Sequence, residues 1–122
     1  MTRALLLLLL AACTADPKVD PASVRAAAVN LDVFLDRAVD EHDKGHVELS
    51  RSAWRDAHNT WDTVLAPGLK PHVERQTLLG LELHLGRIRA EIEDPAGKPA
   101  VEVAALDAAL AQPLALLAGQ NT

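Results

Sequence analysis

Residues 46–68, HVELSRSAWRDAHNTWDTVLAPG, decide the fold, because they hold both tryptophans of the chain within one helical pattern. Apolar and small residues recur there at intervals of three or four, the spacing of one face of an α-helix. The spacing predicts a helix over residues 46–66 that buries Trp54 and Trp61 and ends at the Ala-Pro-Gly sequence. Its predicted inner stripe is Val47, Ser50, Trp54, Ala57, Trp61 and Leu65.

Three further segments, residues 21–44, 71–93 and 99–118, have the same period, and no segment alternates like a β-strand. Asp20 and Gly45 stand where an N-cap and a C-terminal glycine are expected for the first of these. Short connections between helices of about 20 residues predict an all-α fold, an up-down antiparallel four-helix bundle over residues 21–119. The predicted stripes of these three helices are Val24, Ala28, Leu31, Leu35, Ala38 and His42; Leu78, Leu81, Leu85, Ile88 and Ile92; and Val103, Leu106, Leu110, Leu114 and Leu117.

The first residues have the layout of a secretory signal, with Arg3 followed by an apolar run over residues 4–12 and then Cys13. Nine residues cover only about 14 Å as a helix, roughly half of the hydrocarbon core of a bilayer. The run is therefore too short to span a membrane.

Leu10-Ala11-Ala12-Cys13 resembles a lipobox, the site at which bacterial lipoproteins are cleaved and lipidated. The resemblance implies a signal peptide over residues 1–12 and a Cys13 that carries diacylglycerol and an acylated amino terminus. Thr14 stands where an aspartate tends to retain such proteins in the inner membrane. The resemblance thus implies a lipid anchor in the inner leaflet of the outer membrane, with the chain facing the periplasm. An ordinary signal with a coincidental cysteine and a buried N-terminal helix are the two alternatives.

The remainder, about 110 residues, has the size of one small domain. Residues 13–20 are rich in Pro and Asp, as expected of a linker between the lipid and the fold. The formal net charge is −5, so nucleic acid is not an expected partner. An acidic stripe of Asp32, Asp36, Asp40 and Asp43 is interpreted as solvated surface.

Histidines raise the question of a metal site. His42 and His46 are four residues apart, which is ligand spacing on a continuous helix, although Gly45 indicates a helix end between them. A second candidate set combines His58 or Asp62 with His84 and Glu91. It resembles the inward carboxylate-histidine sites of helix bundles, but no E-x-x-H sequence occurs.

No cofactor is predicted apart from the acyl groups, and metal or haem binding at the histidine-acid edge is the alternative function. A Cys-x-x-Cys-His sequence is absent, and the one methionine is Met1. Nucleophile elbows, His-Glu-x-x-His sequences and phosphate-binding glycine loops are also absent. The sequence therefore predicts a protein that is not an enzyme.

Contact with other proteins is the predicted mode of action: an adaptor, scaffold or accessory protein of the cell envelope. Leu79, Leu83 and Leu116 lie off the central stripes and are candidates for a partner or self-association face. Residues 53–67, AWRDAHNTWDTVLAP, are weakly similar to the Trp- and Arg-bearing helices of imelysin-type periplasmic lipoproteins. Gly-His-Val-Glu at residues 45–48 has a different spacing from the Gly-x-His-x-x-Glu motif of that family, so no site residue is transferred.

Overall fold

The computed structural model describes residues 19–118, and within them the protein consists of helices without a β-strand. The prediction of an all-α fold is confirmed. Helix α1 is Pro21–Asp43. Helix α2 consists of three consecutive stretches without a break, Val47–Thr60, Trp61–Leu65 and Ala66–Leu69. Helix α3 is Arg75–Glu93 and helix α4 is Pro99–Ala118. The predicted signal peptide, Cys13 and most of the linker lie outside the described residues.

The start and end of α1 follow the local chemistry of the sequence. The side chain of Asp20 accepts a hydrogen bond from the backbone N–H of Ala22, and Pro21 occupies the first helical position. The helix ends at Asp43, and Gly45 has a φ of 78°, in the left-handed region that glycine enters without a steric penalty. The chain therefore turns back at Gly45.

Helix α2 is longer than predicted. It passes residue 66 and ends at Leu69, so the expected end at Ala-Pro-Gly is wrong. Pro67 lies directly after the π-helical turn, inside the continuous helix, and donates no backbone hydrogen bond there because its nitrogen carries no hydrogen. Gly68 is buried close to Val24 of α1, and packing at this position holds the last turn in place.

A π-helical turn, Trp61–Leu65, interrupts the α-helical pattern of α2. The buried residues Ala57, Trp61, Leu65 and Leu69 are spaced by four, and such a row drifts around an α-helix of 3.6 residues per turn. A π-turn has more residues per turn and compensates for this drift. It therefore keeps Leu65 and Leu69 in the core.

Helix α3 begins at Arg75, four residues later than predicted. Leu69 O accepts hydrogen bonds from His72 N at 2.8 Å and Val73 N at 3.1 Å, so these residues form the turn after α2. Glu74 is extended, and the helix starts after it. Helix α4 has the predicted bounds.

The four helices share one core. Ser50 donates to Ala38 O at 2.6 Å, which joins α2 to α1, and the Trp54 indole donates to Leu85 O at 2.9 Å, which joins α2 to α3. The predicted stripes are largely buried, except that Ala27 replaces Ala28 and that Val47, Leu78 and Leu114 are half-buried. Each fully buried leucine contributes about 1.5–3 kcal/mol relative to an exposed one.

Candidate functional site

His42 and His46 have separate hydrogen-bond partners. His42 is buried, and its Nε2 donates to Asp94 O at 2.8 Å, at the end of α3. His46 lies beyond Gly45, and its Nδ1 is 2.8 Å from Glu41 Oε2. The helix does not run through Gly45, so the two imidazoles are not on one continuous helical face.

The second set of predicted ligands is brought together only in part. His58 Nδ1 lies 3.4 Å from Asp62 Oδ2, as their one-turn spacing predicts. His84 is half-buried on α3, whereas Glu91 Oε2 accepts a hydrogen bond from Lys98 N at 3.0 Å, in the turn before α4. Across residues 19–118, no group of three or more His, Cys, Asp or Glu side chains has an arrangement that could hold a metal ion.

The outward side of α4 is unusually apolar. Its mean hydropathy reaches 1.5, and by length and composition it is the one described helix that could cross a membrane, yet only 28% of that window is buried. All exposed residues of α4 except Asp107 and Gln112 are apolar. We call these residues the α4 outer face: Ala100, Val101, Ala104, Ala108, Ala111, Ala115, Leu116 and Ala118.

Exposed leucines on α3 form a second apolar feature. Leu79 and Leu83 are 51% and 56% exposed, and Leu116 on α4 is 48% exposed. All three side chains therefore lie outside the core, as their positions off the central stripes predict. They remain available for contact with another molecule.

Acidic side chains flank the α4 outer face where α4 meets α1. The pKa of Asp107 is raised to about 7. Partial burial is the largest cause, followed by the hydrogen bond and the charge of Asp32 and by the charge of Asp36. Carboxyl groups on two helices lie close enough for the charge of Asp32 and Asp36 to disfavour ionisation of Asp107. The sequence placed Asp32 and Asp36 on a solvated stripe and gave no indication of Asp107.

A cavity of about 230 Å³ lies between α2 and α3, and we call it the Trp54 pocket. Trp54 is 7% exposed, its ring stacks on His58 with centroids 4.9 Å apart, and Arg89 Cζ lies 5.2 Å from its centre. These contacts and the hydrogen bond to Leu85 O fix the indole in position. The pocket is lined by Glu48, Arg51, Trp54, Arg55, Arg89 and Ile92.

Of the three arginines of the Trp54 pocket, Arg51 forms ion pairs, whereas Arg89 lies over the Trp54 ring. Arg51 donates to both carboxylate oxygens of Glu93, with Nε 2.7 Å from Oε1, and also to Glu48. The Glu93 carboxylate raises the pKa of Arg51, and Arg51 lowers the pKa of Glu93. Within residues 19–118, the guanidinium groups of Arg55 and Arg89 form no ion pair or hydrogen bond.

The sequence contained part of the signal for this pocket. Arg51 and Arg55 lie one turn apart on α2, beside Trp54, so this part of the pocket follows from the local spacing of residues. Arg89 and Glu93 come from a different helix, and nothing in the local pattern connects them to Trp54.

Searches against family models, curated proteins and solved structures found no match to this chain.

Proposed function

We propose that this chain is a lipid-anchored protein of the bacterial cell envelope that acts without catalysis, as an adaptor that holds a partner protein. The observation that carries the proposal is the α4 outer face, since an exposed apolar surface of this length is typical of an interaction site. In this proposal Cys13 carries the acyl groups in the inner leaflet of the outer membrane, and the helices face the periplasm.

The proposed arrangement of α1 to α4 is an antiparallel up-down bundle. Two sets of contacts support it: Ser50 is bonded near the end of α1 while Gly68 approaches its beginning, and Arg51 meets Glu93 while Trp61 reaches back toward Glu82. Residue numbers thus rise along one helix of each pair as they fall along the other. Such a bundle presents α4 along its full length.

The form of the α4 outer face favours a helical partner. Val101, Ala104, Ala108, Ala111 and Ala115 are spaced alternately by three and four, the spacing that two helices need to pack side by side. Small side chains allow a close approach. Interfacial membrane helices carry many Lys and Arg residues on their polar face, whereas α4 has none, which favours a protein over the anionic lipid surface.

Crosslinking in native membranes tests the adaptor proposal. Ala108→Arg places a charge at the centre of the α4 outer face, and we expect at least a fivefold loss of the crosslinked species. Ala26→Arg, at an exposed alanine of α1, is the matched control and should retain it. A product at twice the chain mass identifies self-association, and an unchanged pattern in Ala108→Arg would contradict a role for this face.

The anchor is tested separately with Cys13→Ala. The wild-type chain is expected in the membrane fraction and the variant in the soluble fraction, because the lipid attachment site has been removed. A variant that still sediments with membranes would show that Cys13 is not the anchor. The comparison of Ala108→Arg with Ala26→Arg is made with Cys13 intact, so the two tests are read independently.

A further inference from the structure

We propose that the Trp54 pocket binds a small organic carboxylate. The carboxylate group lies between Arg55 and Arg89, and the apolar part of the ligand packs against Trp54 and Ile92. This site is on α2 and α3, away from the α4 outer face, so it is independent of the proposed adaptor function. It is also distinct from the metal-binding candidates, which use histidine and acidic side chains.

The charges of the Trp54 pocket favour an anion. Arg51 and Arg55 are one turn apart on α2, an arrangement in which like charges repel, and Arg89 adds a third positive charge from α3. Glu48 and Glu93 both pair with Arg51, whereas in the described part of the chain Arg55 and Arg89 lie in no ion pair, although the charge of Arg89 also lowers the pKa of Glu93. A local excess of positive charge in a chain of net charge −5 indicates a place for a bound anion.

The number of charges points to a monoanion. Three arginines and two glutamates, including Glu93 beside the pocket, leave a surplus of one positive charge. A carboxylate matches this surplus, while a phosphate dianion is repelled by Glu48 and Glu93. The planar fork of a guanidinium group also matches the two oxygens of a carboxylate.

The other residues that line the pocket, Trp54 and Ile92, indicate the chemistry of the part of the ligand beyond its carboxylate. The Trp54 N–H is already used by Leu85 O and the side chain is 7% exposed, so the indole presents a small apolar carbon surface to the pocket, and Ile92 offers no polar atom. The cavity volume of about 230 Å³ is below the roughly 300–1,000 Å³ of pockets for drug-sized ligands, so the ligand is small. An aryl or short alkyl carboxylate fits both requirements.

Benzoate is the probe for this proposal. The full chain in detergent is titrated with benzoate at constant ionic strength, and binding is followed by the indole N–H resonances in nuclear magnetic resonance spectra. We expect the Trp54 signal to shift with saturation, while the signal of the fully buried Trp61 stays in place. Trp54→Phe assigns the two signals.

Two matched double variants test the role of the arginines. Arg55→Gln with Arg89→Gln should weaken benzoate binding at least tenfold. Arg75→Gln with Arg87→Gln changes the net charge equally at exposed arginines outside the pocket and should leave binding within twofold. Circular dichroism checks that both variants fold. If one of them does not fold, the benzoate titration of the wild-type chain still tests the proposal.

Benzyl alcohol and inorganic phosphate complete the experiment. Benzyl alcohol keeps the ring without the charge, and phosphate keeps the charge without the ring, so each should bind at least tenfold more weakly than benzoate. Equal binding of phosphate and benzoate, equal weakening in both double variants, or no saturable shift of the Trp54 signal would each overturn the proposal.

Discussion

At the scale of single residues, Asp107 shows how neighbouring helices change a carboxyl group. Its pKa rises to about 7, first because partial burial disfavours the charged form and then because Asp32 and Asp36 add a hydrogen bond and negative charge. An aspartate in an unfolded chain has a pKa of about 4. Between these two values the folded protein binds more protons at this site than the unfolded chain.

Asp107→Asn should therefore stabilise the protein at neutral pH. The unfavourable contribution of Asp107 is absent below about pH 4, grows as the pH rises toward about 7, and stays constant above that. We expect the melting temperature of the variant to exceed that of wild type by on the order of 1–4 °C at pH 8, with solvent screening keeping the difference small. The difference should vanish near pH 4.

Asp56→Asn is the control, since Asp56 is an exposed aspartate of α2 away from this cluster. It removes the same charge and should show no comparable trend with pH. Thermal unfolding followed by circular dichroism from pH 4 to pH 8 measures both variants. A melting temperature of Asp107→Asn that stays below wild type at pH 8 would contradict the assignment.

At the scale of the helix, Gly68 and Gly86 differ in the room that their surroundings leave for a side chain. A Cβ atom added at Gly68 lies 2.3 Å from Val24 Cγ2, and Val24 is fully buried in α1. A Cβ atom added at Gly86 in α3 has no atom within 4 Å. The two positions are both helical, so they separate the packing effect from helix propensity.

Gly68→Ala is expected to destabilise the protein by about 1–3 kcal/mol, since the core cannot take the extra methyl group without moving Val24. Gly86→Ala is expected to stabilise it by about 0.5–1 kcal/mol, because alanine loses less backbone entropy in a helix than glycine. Urea unfolding of both variants gives the free energies. Similar effects of the two substitutions would rule out close packing between α1 and the end of α2.

Helix α2 marks the limit of local prediction. The periodic pattern gave its buried face with both tryptophans, because a stripe of fixed spacing fixes which side is buried. It did not give the π-turn Trp61–Leu65 or the passage through Pro67. Both depend on the packing of Leu65, Gly68 and Leu69 against α1. Local helix propensity carries no information about that packing.

At the scale of the whole molecule, the proposed up-down bundle makes a prediction about distances. The contact of His42 with Asp94 O puts the ends of α1 and α3 together. Spin labels at Lys44 and Ala96, in a Cys13→Ala background, should therefore lie within about 20 Å. Labels at Ala22 and Ala96 should be separated by at least 25–30 Å, since about 20 helical residues rise about 30 Å.

Double electron–electron resonance measures both distances on the purified chain. A long Lys44–Ala96 distance or a short Ala22–Ala96 distance would reject this topology. Labels at these positions leave the core intact, because Ala22, Lys44 and Ala96 are all exposed.

The sequence by itself determined the helical class, most helix boundaries and most of the core, because helical periodicity and end signals are properties of neighbouring residues. It also identified Leu79, Leu83 and Leu116 as side chains off the central stripes. The tertiary structure decided the Trp54 pocket and the environment of Asp107. In each of these sites, groups more than 30 residues apart come from different helices, and their charge and burial arise only when the helices pack.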